Sequence, residues 1–171
     1  MHLFVDESKA EAYLLVVVSL EVTSIAAARR NLDALMLPGQ KRIHMKAERR
    51  QRRDLIAKAV VSMGHRCCVL DAGRSFPTER QARSACLEQL ISRHPGAARL
   101  TIERDESLVE FDRSVLFRAT RAFGSRPLYT HASAAEEPLL SLPDIVAWCW
   151  ARGGVWRDRV RPIVQRIGVK P

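Results

Sequence analysis

Two stretches of the sequence carry carboxylates off the end of apolar segments: LFVDES at residues 3–8 and RLTIERDES at residues 99–107. Alternate residues of a strand share a face, so Asp6 falls on the side of Phe4, and Glu7 on the side of Leu3 and Val5. In the second stretch Thr101, Glu103 and Asp105 share a face by the same rule. A carboxylate at the edge of packed surface is unfavourable unless it is paired or bound to a cation. Two or three that converge repel one another, and a divalent ion resolves the repulsion. Hard oxygen donors without clustered His or Cys point to Mg²⁺ or Mn²⁺ rather than zinc. The alternative is that both sets of acids are solvated loop residues at strand ends.

Asp144, in SLPDIVAW, is the third candidate, near the start of a helix whose Leu142, Ile145, Trp148 and Cys149 are apolar. Its alternative role is local: Ser141-x-x-Asp144 has the spacing of a capping box, and an acid in the first turn suits the helix dipole. His44 and Glu48 stand four apart, as two ligands on a helix would, but the second histidine of a zinc-peptidase motif is missing. His44 beside a carboxylate site could move a proton or touch phosphate, or be an ordinary surface histidine.

The elements that must position these groups follow from periodicity and punctuation. Strands are expected over 2–6 and 12–20, joined by a short link that favours an antiparallel hairpin. Thr23 or Ser24 starts a helix that runs to Leu37, before Pro38-Gly39. The second half of 40–64 is helical, with Leu55, Ile56, Ala59, Val60 and Met63 on one face and Gly64 as the stop. A strand at 66–72 precedes a helix opened by the Thr78/Gln81 capping box and ending near Arg93. Then come a strand at 99–104, a helix at 111–123 with Phe111, Val115, Ala119 and Ala122 aligned, and a fifth strand at 127–133. A helix starting near 141 is followed by a basic one, WRDRVRPIVQRI, which Pro162 breaks or kinks. Local pairing followed by alternation gives an α/β class with a mixed sheet, as one domain over 1–171.

Composition supports a nucleic-acid partner. The 171 residues carry a formal charge of +9, and the 28 basic side chains are mostly arginine, whose planar fork grips phosphate. Lys46, Arg49, Arg52 and Arg53 form one cluster, and Arg157 and Arg161 belong to a second near residue 160; both are candidate nucleic-acid contacts. Hydrophobic residues make up 47%, and the longest apolar run, 12–20, is too short to span a bilayer. With acids interrupting any N-terminal leader, a cytoplasmic protein is expected. Cys67, Cys68, Cys86 and Cys149 show no metal spacing and are expected to be buried free thiols.

FVDES at the N-terminus, the central IHMK and the late LPDIVAW, in that order along nearly the whole chain, resemble the bacterial family called domain of unknown function 3800. The resemblance implies a ribonuclease-H-like fold of about five strands flanked by helices, and metal-dependent nuclease activity. It aligns the family's first-strand aspartate with Asp6, followed by Glu7 and Ser8, its mid-chain histidine with His44, and its later strand acid with Asp105, Glu103 being the alternate. Its helix aspartate falls on Asp144, where the usual glutamine is absent and Pro143 replaces a small residue. The expected function is phosphodiester hydrolysis of RNA or DNA with Mg²⁺ or Mn²⁺ held by Asp6, Asp105 and Asp144, and with Glu7, Glu103 and His44 as further catalytic candidates. The alternatives are a non-catalytic nucleic-acid-binding module with a degenerate site, and a toxin- or defence-type interaction component.

Overall fold

A computed structural model describes residues 1–171. The chain opens with β1 (His2–Ser8) and β2 (Tyr13–Leu20), an antiparallel hairpin in which Asp6 lies opposite Val16 and Ser8 opposite Leu14. β2 is buried along nearly its whole length, as a continuous apolar run in a central strand requires. Helix α1 (Ile25–Asp33) and helix α2 (Arg50–Ser62) precede β3 (Arg66–Gly73), which pairs antiparallel with β2. Helix α3 (Glu79–Arg93) leads to β4 (Arg99–Glu103), and helix α4 (Val109–Phe123) to β5 (Leu128–Ala132). The chain ends with α5 (Ser141–Arg152), α6 (Gly154–Val160) and β6 (Val164–Gly168).

The six strands form one mixed sheet in the order β5-β4-β1-β2-β3-β6. β4 runs parallel to both β1 and β5, and β6 parallel to β3. Alternation sorts the strand residues between two cores. Phe4, Leu14, Val16 and Cys67 pack beneath α1, α2 and α5, whereas Leu3, Val5, Leu15 and Cys68 pack beneath α3 and α4. All four cysteines are free and buried, as expected, and Cys67 and Cys68 lie on opposite faces. No helix is long and apolar enough to cross a membrane.

Most expected elements are present. The Thr78 hydroxyl accepts from the Gln81 amide and so caps α3, and Gly64 closes α2 at φ +71°, where a Cβ is disfavoured. Three expectations need correction. α1 ends at Asp33, short of Leu37, in a turn. The buried stripe of α4 is Asp112, Val115, Leu116 and Ala119 rather than one centred on Phe111 and Ala122. The expected last basic helix is three pieces: α6, a short 3-10 turn at Arg161–Ile163 and the strand β6. Pro162 lacks the amide a continuing helix needs, and Val164–Gly168 extends beside β3 as a sixth strand.

Candidate active site

The C-terminal ends of β1 and β4 lie side by side. Their parallel register sets Val5 opposite Ile102, so the next residues, Asp6 and Glu103, are neighbours across the strands. Both belong to the sheet face covered by α5, because Phe4 and Thr101, two residues earlier, do. Asp144 comes to the same place from the first turn of α5, the helix packed most extensively on β1. Of the local alternative for Asp144 the capping box does not hold, because the residue capping α5 is Leu140, with no side-chain cap, and Ser141 already lies within the helix; Asp144 does lie in the first turn, where the dipole favours an acid. Asp144 instead accepts a long hydrogen bond from the Met45 amide (3.4 Å) and faces His44 Nδ1 at 3.6 Å.

The electrostatics of these acids follow from burial that outweighs the pull of the nearby cations, Arg83 and Arg42 on Asp6 among them. Asp6 is pushed up to about 8, first by desolvation and then by the charges of Asp144 and Glu103. Glu103 is raised by burial, against the pull of Arg42, whose Nη1 stands 3.6 Å away. Asp144 is raised by burial too, opposed by His44, the Met45 amide and Arg42. Arg42 and His44 come from the segment between α1 and α2, anchored by buried Ile43 and Met45. Both are roughly half exposed, at 46% and 43%, so they rim the acids without neutralising them.

Asp105 and Glu7 border the same small cleft as Asp6 and Glu103, but each is bonded to other partners. β4 ends at Glu103, so the alternation that put Asp105 on the same face stops before reaching it. Asp105 Oδ1 turns back to the Ser107 amide (3.0 Å) and hydroxyl (2.7 Å), and these bonds hold its carboxyl below the usual range. The charges that act on it most are those of Lys9 and Arg83. Glu103 is therefore the β4 acid of the cluster. Glu7 points to the opposite face, where it receives Arg83 and Lys9 and the Tyr13 hydroxyl.

That opposite face holds a buried ionic network that sequence reasoning missed. Arg83 of α3, 2% exposed, binds both oxygens of the fully buried Asp112 of α4 at 2.6 and 2.7 Å, and also Glu7. His131 Nε2 of β5 lies 2.9 Å from Asp112 Oδ2. Burial alone would raise Asp112, but the bonds from Arg83 and His131 outweigh it and hold the carboxyl low. The one sequence signal is a lone charge on each apolar stripe: Arg83 among Ala82, Cys86 and Leu87, and Asp112 ahead of Val115 and Leu116.

The first basic cluster is only partly free. Arg52 is spent on Glu48, the Leu35 carbonyl and Gln40, and Arg53 donates to the Met45 and Lys46 carbonyls while stacking on Trp148. These two hold the segment that carries Arg42 and His44, and are not an open phosphate track. Glu48, so engaged, is not a partner for His44 in a metal pair. Lys46 and Arg49 are exposed. In the second cluster Arg161 is exposed, whereas Arg157 donates Nε to the Trp150 carbonyl.

The sequence matches no protein-family model and no curated protein. Among solved structures it is similar to ribonuclease HII of Archaeoglobus fulgidus, determined as a complex with PCNA, at a TM-score of 0.60 over 95% of this chain and 73% of that one, with 16% identity. The fold is ribonuclease-H-like. The ribonuclease-H-like sheet therefore presents Asp6, Glu103 and Asp144 at one rim. As they stand, no group of three or more His, Cys, Asp or Glu side chains is arranged closely enough to hold a metal ion. The donor set nonetheless suits a hard divalent cation: half-buried carboxylates from two strands and a helix, none of them bonded by an arginine or lysine at hydrogen-bond distance.

Proposed function

We propose that the protein is a nuclease that hydrolyses a phosphodiester bond of nucleic acid with the help of a divalent cation, as a member of the family its motifs resemble. The observation that supports this reading best is Asp6. Its carboxyl is held near 8 by burial and by two further acids of the same face, while no arginine or lysine side chain of the protein bonds it. A group in that state gains most from an external cation.

Asp6, Glu103 and Asp144 would hold Mg²⁺ or Mn²⁺, which when bound supplies an activated water and neutralises charge on the leaving oxygen. The remaining work belongs to this chain. Arg42, half exposed beside Glu103, is placed to bind a phosphate oxygen of the substrate. His44 keeps Nδ1 toward Asp144, leaving Nε2 to hold or deliver a proton at the departing oxygen. Arg52 and Arg53 fix the backbone from which both residues project.

A second reading is favoured because no group of three or more His, Cys, Asp or Glu side chains is already arranged to hold an ion: a nucleic-acid-binding module that keeps the fold without cutting. A cleavage panel separates the two. Labelled single- and double-stranded DNA, RNA and hybrid are incubated with Mg²⁺, Mn²⁺ or EDTA, with wild type beside Asp6→Asn and Asp144→Asn. Metal-dependent cutting by wild type, lost in both variants, supports the nuclease. Binding without cutting, unchanged by Asp6→Asn, supports the module.

A further inference from the structure

Where the C-terminal elements return to the sheet, Trp150, Arg157, Arg161, Arg166, Asp71 and Glu11 border a cavity of about 460 Å³. It opens on the same face and rim as the acids. Leu14, part of its wall, pairs with Ser8 two residues beyond Asp6; strand spacing and rise put it roughly 8 Å from Asp6. The cavity is thus near the proposed reaction site yet separate from it.

Three guanidinium groups line this space, and two of them are anchored through Nε alone. Arg157 Nε donates to the Trp150 carbonyl at 2.9 Å, with its Cζ 5.4 Å from the indole centroid. Arg166 Nε donates to Asp71 Oδ2 at 2.8 Å, and the other Asp71 oxygen accepts from the Gly73 amide. Anchoring at Nε orients each fork and leaves its terminal N–H groups for a ligand. Arg161 is two-thirds exposed, with one terminal nitrogen on Asp158. Asp71 is already compensated by Arg166, so Glu11, exposed and without a side-chain partner, is the one opposing charge. The indole itself is 7% exposed and covered by Arg157, so it offers no surface on which a base could stack.

We propose that this cavity is a second, sequence-independent subsite, taking a backbone phosphate of the nucleic-acid strand at a distance from the scissile one. The inference rests on the proposed function and adds to it a substrate requirement: a strand long enough to reach both places, recognised by its backbone.

Binding of end-labelled single strands of roughly 12 nucleotides, within the usual range of single-strand site sizes, is followed by anisotropy in EDTA as salt is varied. A dinucleotide serves as the short probe. Arg161→Glu combined with Arg166→Gln is expected to weaken the long strand about 10-fold and to lower the salt slope by about 0.7 for each lost phosphate contact. Glu11→Gln is expected to tighten the long strand a few-fold, a change that misfolding cannot mimic. Dinucleotide binding should respond to neither, and strands of different sequence should behave alike. If wild type binds the long strand and both variants match it in affinity and slope, the subsite is wrong while the nuclease reading stands. If wild type binds no strand at any salt, both fall together.

Discussion

Asp6 and Glu7 are adjacent in sequence and meet opposite circumstances. Glu7 points into the layer beneath α3 and α4, where Arg83, Lys9 and Tyr13 receive it and Asp112 shares the same arginine. Asp6 points beneath α5, where its strongest charged neighbours are two more acids. One face therefore pairs its carboxylates closely within the protein, and on the other burial outweighs the pull of more distant cations. In the proposed reading the first face is structural and the second binds the ligand, although both use the same residue types one peptide apart.

The sharpest way to break this contrast is to remove a cation from the closely paired face. Arg83→Met strands Asp112 and Glu7 without their partner, and the loss in unfolding free energy is expected to be about 3–5 kcal/mol by denaturant titration. Asp6→Asn should act in the opposite sense. In EDTA at pH 8 it is expected to be more stable than wild type, by a few kcal/mol at most, while cleavage with Mn²⁺ falls by roughly 10²-fold or more.

The same contrast has a pH signature. A carboxyl whose folded value lies near 8 holds its proton in the folded state where the unfolded chain has already lost it. The unfolded state then binds fewer protons, so the contribution of Asp6 to stability declines as pH rises from about 4 to about 8 and is level beyond. Asp112, held low, contributes stability above the ordinary carboxylate range that is lost as pH falls through its folded value. Thermal unfolding in EDTA across pH 4–9 should show the decline in wild type and a shallower one in Asp6→Asn. Replacing His44, a half-exposed group facing Asp144, by Ala is expected to lower cleavage about 10- to 100-fold with little change in stability. The smallest effect belongs to a local device: Thr78→Ala removes the α3 cap and should reduce stability by about 1 kcal/mol.

The tripeptide Asp-Glu-Ser shows how far the sequence can be read. At 6–8 it lies within a strand, so alternation alone separates Asp6 from Glu7 and does so correctly. At 105–107 it follows the end of a strand, and the aspartate closes on the serine amide two residues on. That competition between a local turn and continued extension is why alternation carried past Glu103 puts Asp105 on the same face, where the family resemblance prefers it. Periodicity also locates most helices, since their apolar stripes are long, but it discounts Arg83 and Asp112 because each charge lies alone on its own helix and the pairing exists only once the helices pack. β6 is hidden for a different reason: five residues beside a proline, two of them polar and one glycine, carry almost no strand signal and gain their conformation from β3. The arginines of 49–53 read as one free basic face because charge runs show composition, not partners; the Leu35, Met45 and Lys46 carbonyls that occupy Arg52 and Arg53 come from a segment without periodicity.

Cation binding by the metal-free protein probes the Asp6 face directly. Mn²⁺ titrated by calorimetry into wild type near pH 7, in two buffers of different ionisation enthalpy, should give saturable binding with release of protons, because Asp6 must ionise to serve as a ligand. Asp6→Asn should lose most of the affinity and the proton release together. Absence of saturable binding in wild type, or equal binding by the variant, would contradict a cation site built on Asp6, Glu103 and Asp144.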